Sequence, residues 1–450
     1  MEPVIVAGGG LAGSEAAWQL AERGVPVVLY EMRPATPTPA HKTGQLAELV
    51  CSNSLKSNSP GAASWLLKEE LRRSGSLLLR LADRNAVPGG TALAVDRERF
   101  AEAVTAALGN HPLVRFERRE LPKVPREGLV LIATGPLTSD SLARSLQDLT
   151  GADNLAFYDS ISPIVDAETL THDRIFPASR YGKGGEDYLN CPLNEADYRA
   201  FYEALTSAES VEAHAFEDLK YFEACLPIEE LARRGVDTLR FGPMKPVGLI
   251  DPRTGRQPYA AVQLRAENLR YSSYNLVGFQ NHLKFPEQKR VLRLIPGLER
   301  AEFLRYGQIH RNTYLNGPRL LARDLSLRGL GRIFIAGQLS GVEGYVECIA
   351  TGLLAGMALA ARALDQPFTA PPRTTALGSL VHYVTHAEPG GYQPANISFD
   401  LLPPPENLLQ AAMRDRAKRR AWQCERALID LVEWRESTEL SVVSCRSSVV

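Results

Sequence analysis

The chain opens with short apolar runs separated by glycine and helical stretches, in the order that builds a parallel sheet. Val4-Ile5-Val6-Ala7 is apolar throughout, Gly8-Gly9-Gly10 interrupts it, Ser14 to Arg23 has helical composition, and Val27-Val28-Leu29-Tyr30 forms a second apolar run. Runs of this length bounded by glycine predict buried strands, and a crossover helix between two strands makes them parallel. A Pro/Thr-rich loop follows from Pro34 to Pro39, then a helical stretch around Leu66 to Leu81 and a helix from Asp96 to Leu108 with Asp96 as its N-cap. Leu113 to Glu117 and Leu129 to Thr134 predict two more strands. The second closes on Gly135, as a doubly wound sheet requires where its chain turns over a ligand.

From about Phe157 the texture changes. Pro, Tyr and Gly become frequent, helices are fewer, and strands are predicted around Ile161 to Asp166 and Ala260 to Arg265. The earlier pattern returns at Arg332-Ile333-Phe334-Ile335-Ala336-Gly337, followed by a helical pattern from Cys348 to Ala363. The expected fold class is α/β: a discontinuous Rossmann-type domain over 1–156 and 305–405, an inserted α+β substrate domain over 157–304, and a C-terminal helix and tail over 406–450. The last helix is expected from about Glu406 to Trp434, with the Ser/Val tail frayed.

Gly8-x-Gly10-x-x-Gly13 follows the first strand and opens the first helix, the context that gives this pattern its meaning. Gly8 allows the tight turn, Gly10 lets backbone approach a pyrophosphate, and Gly13 lets helix and strand pack closely. Gly9, Leu11 and Ala12 complete the loop, whose N–H groups and helix dipole favour an anion. Glu31 ends the second strand near the roughly 20-residue offset expected of an acid that binds ribose hydroxyls. A carboxylate there repels a 2′-phosphate, so FAD or NAD is favoured over NADP as the tightly held ligand. Ala336-Gly337, leading through Gln338, Gly341, Val342, Glu343 and Gly344 into a helix, offers a second N-terminus to a flavin and favours FAD.

Composition narrows the partners. Lys and Arg number 51 against 52 Asp and Glu, a net charge of -1, so no global positive field points to a nucleic acid and any RNA or DNA site must be a local patch. Two basic clusters are candidates: Arg414, Arg416, Lys418, Arg419 and Arg420, and Lys284, Lys289, Arg290 and Arg293. A solvated helix face is the plain alternative for each. The six cysteines are scattered without C-x-x-C or metal spacing, and no basic leader or cleavage site precedes the first strand. A cytoplasmic protein with no bound metal and no membrane contact is expected. Cys51 lies in Cys51-Ser52-Asn53-Ser54-Leu55-Lys56-Ser57, where hydroxyl donors and a lysine favour a reactive thiolate; a small buried cysteine is the equal alternative.

A set of runs spread over nearly the whole chain carries a specific resemblance. The block Gly8 to Glu31, the Cys51–Ser57 run, Phe241-Gly242-Pro243-Met244-Lys245-Pro246-Val247-Gly248-Leu249, Asn275-Leu276-Val277-Gly278-Phe279-Gln280, His282-Leu283-Lys284, His310-Arg311-Asn312-Thr313-Tyr314 and Ala336 through Glu347 together resemble the folate-dependent tRNA uracil-5-methyltransferases, the TrmFO family, related to the wobble-uridine flavoproteins MnmG/GidA. The resemblance implies a glutathione-reductase-like FAD domain. It implies methylenetetrahydrofolate as one-carbon donor, NADH or NADPH as reductant, and 5-methyluridine formed at the T-loop uridine of tRNA (position 54 in tRNA numbering). It implies no obligate protein partner.

The resemblance also implies functional cysteines at Cys51 and Cys225, one attacking uracil and the other serving as acid/base or protecting partner. Glu223, Glu229 and Glu230 around Cys225 make Cys51 the better thiolate. Asn53, Lys56, His282, Lys284, His310, Arg311 and Tyr345 are the expected folate or tRNA contacts, with His282 or His310 stacking on the pterin. Gln338 stands where many flavoproteins carry Asp. Two other readings compete: a MnmG/GidA-like wobble-uridine enzyme, which would carry a longer C-terminal region, and a flavin-bearing RNA-binding protein without turnover.

Overall fold

The computed structural model describes residues 1–38, 40–151, 155–182, 185–211, 226–307, 309–404 and 415–447. The first apolar runs become the centre of a six-stranded sheet. Its order is Ser326–Leu327, Leu330–Ile335, Val130–Ile132, Val4–Ala7, Val27–Tyr30 and Val114–Glu117. The last five run parallel and Ser326–Leu327 is an antiparallel edge. Val6, Leu131, Ile132 and Phe334 are fully buried because helices cover both faces, which is why these strands read as continuous apolar runs.

The crossover helix is Leu11–Glu22, starting three residues before the helical composition becomes evident. It packs against Tyr345–Ala363, the one helix among the described residues long and apolar enough to cross a membrane, which is mostly buried in this core. The close crossing depends on two glycines. A Cβ at Gly352 would lie 2.3 Å from the Ala12 carbonyl oxygen, and one at Gly356 would lie 2.9 Å from the Ala16 Cα.

The stretch expected as one helix from Leu66 to Leu81 is two, Ala63–Arg73 and Leu77–Arg84. Gly75 breaks it with φ +76°, and Ser76 caps the second helix by accepting from Leu79 N–H. Buried Glu15 adds its carboxylate to that N-terminus, accepting from Leu78 N–H at 3.0 Å and from the Ser76 hydroxyl at 2.8 Å. Asp96 caps Arg97–Gly109 as expected.

A second hydrophobic cluster, with Tyr198, Phe201, Leu205, Val262, Leu264 and Phe279, forms around an antiparallel sheet. Its order is Phe176–Pro177, Tyr188–Leu193, Ala260–Ala266, Ser273–Leu276, Ile164–Asp166 and Phe303–Arg305. The chain reaches this cluster along Leu155–Ser160 and leaves it along Ile309–Tyr314, and the two pair as an antiparallel ribbon with His310 opposite Asp159.

The C-terminal helix is Arg416–Ser447, so the residues expected to fray are helical as far as Ser447. Cys424, Ala427, Leu431 and Trp434 anchor it in the first core, with the Trp434 indole donating to the Thr369 carbonyl at 2.8 Å. Residues 406–414, expected as its first turns, lie outside the described residues.

Candidate functional site

Four neighbouring strands of the parallel sheet end along one cavity. Its lining follows their C-terminal ends: Tyr30 to Arg33, Ala7 to Ala12 without Gly9, Ala133 to Leu137, and Gly337 with Gln338. The cavity holds about 1060 Å³ of empty space up to its open mouth. This is the crevice where open α/β sheets place their ligands.

The glycine loop shapes its floor. Gly8 has φ +102°, and a Cβ there would lie 2.5 Å from the Ala133 carbonyl oxygen; a Cβ at Gly13 would lie 1.8 Å from the Gly8 carbonyl oxygen. Gly10 differs, because a Cβ there meets nothing within 4 Å and would project into open space. Gly10 is also the N-cap of Leu11–Glu22 and has no side chain to cap the first turn, so the orphan N–H groups are left for a ligand. A cradle that a single methyl group would narrow, beneath an uncapped helix N-terminus, suits a pyrophosphate.

Glu31 lines the same cavity. Its carboxylate accepts from Gly9 N–H at 3.0 Å and from the Arg33 guanidinium at 2.9 and 3.0 Å. Burial alone would raise its pKa; the hydrogen bonds and charge of Arg33, with the Gly9 and Arg33 N–H groups, outweigh it and hold the carboxyl below the ordinary range. Arg33 also reaches Glu48 at 3.1 Å, tying the loop after the second strand to the cavity wall. Arg33 and Glu48 carry no signal in the glycine motif and were not among the expected residues.

On the other side of the sheet Gly337 has φ +71° and its N–H donates to the Thr351 hydroxyl at 2.9 Å, while Gln338 faces the cavity. Gly341, Val342 and Glu343 do not line it. Gly341 packs against Tyr392, Val342 is fully buried, and Glu343 pairs with the Asn396 amide. These three shape the turn into the helix, behind the residues that line the cavity.

Cys51 sits beside the cavity, in a segment held by its backbone. Val50 and Tyr345 line the cavity, and the Tyr345 hydroxyl accepts from Cys51 N–H at 2.7 Å and Ser52 N–H at 3.3 Å. Arg305 donates to the carbonyls of Val50 at 2.6 Å and Cys51 at 2.8 Å. Arg97 donates to the Leu49 carbonyl and pairs with Glu267 at 2.6 Å. Arg265, on the buried Ala260–Ala266 strand, is the third guanidinium whose charge is felt at Cys51. Burial, and then Arg97 beside it, lower the Arg305 pKa to about 10, with Glu267 and Cys51 opposing. Arg97 Nη2 and Arg305 Nε have no hydrogen-bond partner among the described residues. Cations crowded in this way, drawn from a helix and from two strands of the antiparallel sheet, favour an anionic sulfur.

The source of that positive charge corrects the sequence reading. Lys56 pairs with the buried Glu347 at 2.8 Å and with Asn396, so its charge is committed to the N-terminus of Tyr345–Ala363. Arg97, Arg265 and Arg305 are far from Cys51 in sequence, and only the fold brings them together. Asn53 is also corrected as a substrate contact. It is fully buried, donates to the carbonyls of Val95 at 3.1 Å and Ala266 at 2.9 Å, and accepts from Arg265 at 2.8 Å, pinning the Cys51 segment to the second sheet.

His282 is buried against Glu229, whose carboxylate accepts from His282 N–H at 2.8 Å and lies 3.1 Å from its ring Nδ1. Burial lowers the imidazole pKa and raises that of Glu229 to about 7. His282 does not line the cavity, and its ring is turned to the Glu229 carboxylate. Lys284 is exposed and paired with Glu209 at 2.6 Å. His310 and Arg311 lie on the Ile309–Tyr314 strand, with their side chains outside the described residues, as is Cys225 altogether. Cys348 does line the cavity, but burial and then the Glu347 and Glu343 carboxylates push its thiol up to about 12, which suits it to packing.

Comparison with known proteins agrees with this geometry. The family described as "Glucose inhibited division protein A" matches residues 3–367. The methylenetetrahydrofolate–tRNA-(uracil-5-)-methyltransferase TrmFO of Solibacter usitatus is 61% identical, over 97% of this chain and 99% of its own, and that of Koribacter versatilis is 57% identical, over 97% and 98%. Among solved structures, Aquifex aeolicus GidA superposes with a TM-score of 0.68 at 17% identity, covering 96% of this chain and 75% of that one, a likeness of fold. With relatives this similar along almost its entire length, the chain belongs to the TrmFO family of methylenetetrahydrofolate–tRNA-(uracil-5-)-methyltransferases.

Proposed function

We propose that this protein is the FAD-dependent enzyme that methylates C5 of the T-loop uridine of tRNA, taking carbon from methylenetetrahydrofolate and electrons from NADH or NADPH. The activity follows from family membership. The observation that carries the site assignment is Cys51 beside a dinucleotide crevice, its carbonyl held by Arg305 and its sulfur within electrostatic reach of Arg97, Arg265 and Arg305.

Gly8 to Gly13 and the first turn of Leu11–Glu22 would hold the FAD pyrophosphate, Glu31 the ribose hydroxyls, and Gly337 with Gln338 the far end of the cofactor. Bound FAD supplies the two-electron redox chemistry that converts a methylene into a methyl group. Cys51 adds its thiolate to uracil C6, and the displaced electron pair makes C5 nucleophilic. Once C5 has its new carbon, the C5 proton leaves and the S–C6 bond breaks, which returns the thiolate. Arg97 and Arg305 hold the segment in register and stabilise the sulfur anion. Cys225 is assigned as the partner thiol and His310 as the ring available to the pterin. The unit over 157–304 presents substrate to the FAD unit formed by 1–156 and 305–405, and the enzyme works in the cytoplasm.

Incubation of the holoenzyme with methylene-labelled folate, NADH and unmodified tRNA is expected to put label into 5-methyluridine. Label arriving instead from S-adenosylmethionine, or at the wobble uridine, would overturn the proposal. A second expectation concerns these guanidiniums. Arg305→Met removes one charge and two backbone anchors, so alkylation of Cys51 by iodoacetamide at neutral pH should slow by about tenfold, the scale of one charge partner at a thiol. An unchanged rate would mean that Arg305 only braces the backbone.

A further inference from the structure

A second cleft opens between the start of the Arg416–Ser447 helix, the start of the Ala63–Arg73 helix and the segment 396–404. It holds about 1710 Å³ of empty space up to its mouth. Arg416, Arg419 and Arg420 line it, with Lys56 at its edge already paired to Glu347, and Asp400 is the only acid among the described lining residues. Positions 416, 419, 420 and 423 share one helix face, so the three arginines form a stripe about 6 Å long, continued by Gln423. Neither Arg416 nor Arg420 enters an ion pair among the described residues. The Arg420 guanidinium lies 5.2 Å from the centre of the Phe399 ring, which gives the wall a flat, apolar and cationic surface.

Three of the four members of the other basic cluster, all but Lys289, have partners within the chain. Lys284 pairs with Glu209 at 2.6 Å, Arg290 pairs with Glu287 at 2.7 Å, and Arg293 donates to the Ala301 carbonyl at 2.9 Å. The cleft is also close to the chemistry. Lys56 is on the Ser54–Ser57 strand, and five residues of chain put it at most about 18 Å from Cys51.

We infer that this cleft holds the sugar–phosphate backbone of the substrate tRNA beside the uridine presented at Cys51. The inference rests on the tRNA-methyltransferase reading above. A row of arginines beside an aromatic face suits a chain of phosphates with ribose or base between them, and none of these interactions reads sequence. The cleft therefore positions the RNA, and discrimination of the uridine is left to the cavity.

The test is titration of FAD-loaded enzyme with unmodified tRNA over a range of salt. Arg416→Glu combined with Arg419→Glu is expected to weaken binding at least about tenfold, and to flatten the log–log salt dependence by roughly 0.7 for each phosphate that is no longer neutralised. Arg416→Gln, which preserves the helix, is expected to weaken it about threefold. Arg290→Ala should titrate like the parent, and unchanged flavin absorbance certifies the fold of each variant. If the parent methylates tRNA but the double and Gln variants bind it with unchanged affinity and salt slope, the cleft assignment falls alone. If those variants lose affinity only for polyglutamylated methylenetetrahydrofolate, the cleft is a folate-tail site and the assignment is overturned. If the parent neither binds nor methylates tRNA, both readings fall.

Discussion

Cys51→Ala is expected to keep its FAD and to lose methyl transfer by about two to four orders of magnitude, the range for removing a covalent or acid/base group. The separation of the two effects follows from how the segment is held. Arg305 grips the carbonyls of Val50 and Cys51, Arg97 that of Leu49, and Tyr345 the N–H groups of Cys51 and Ser52. All of these anchors are backbone atoms, which alanine retains. The glycine loop and Glu31 are likewise untouched, so the cofactor site stays intact. T-arm RNA containing 5-fluorouracil should trap a protein–RNA adduct in the parent enzyme and none in the variant that lacks the attacking thiol. Cys225→Ala is expected to reduce turnover as severely. An adduct that survives in Cys51→Ala and disappears in Cys225→Ala would exchange the two roles. Near-parental turnover in both variants would make the cysteines structural and leave uracil activation to deprotonation.

Gly10→Val and Gly13→Val should fail in different ways. Gly10 has φ -74° and ψ -168°, a conformation open to any residue, and its Cβ would project into free space. Its valine variant is expected to fold and melt near the parent temperature, yet to purify colourless, because the new side chain occupies the approach of the pyrophosphate. Gly13→Val drives a Cβ to 1.8 Å from the Gly8 carbonyl oxygen, inside the packing of the first helix on the first strand. That variant should be insoluble or unfolded. Circular dichroism and visible flavin absorbance, measured on the same preparations, separate the two outcomes. A yellow Gly10→Val protein with a full complement of FAD would remove the pyrophosphate from this loop.

The FAD unit was legible in the sequence because its signals are local. Four apolar residues, a glycine turn and an acid at the end of the next strand are all set by the chain within one βαβ unit, and Val4–Ala7, Leu11–Glu22 and Val27–Tyr30 lie where that pattern put them. The break at Ser74 to Ser76 was harder to see, since leucines continue across it with helical spacing and only Gly75 interrupts them. The surroundings of Cys51 were hidden for another reason. Its nearest lysine in sequence turns away to Glu347, while the three arginines come from a helix and two strands up to 254 residues distant. Local composition suggested a reactive thiol, and the charges that favour it are tertiary. Asn53 shows the reverse case: a polar residue beside a candidate nucleophile that the fold uses entirely to tie the strand ending at Val95 to the antiparallel sheet.

The ribbon of Leu155–Ser160 and Ile309–Tyr314 bears on how the parallel sheet assembles. Ile333 must pair with Val130, about 200 residues away along the chain. Once the antiparallel sheet has formed and its two ends are zipped together, the free chain that separates these strands shortens to roughly 45 residues, and the entropic cost of bringing them into register falls by about 1.3 kcal/mol. The intervening unit can thus act as a clasp for the fold that surrounds it: where it closes first, a distant strand pairing becomes a nearby one, and loosening the ribbon is then expected to slow assembly of the cofactor crevice without altering a single residue that lines it.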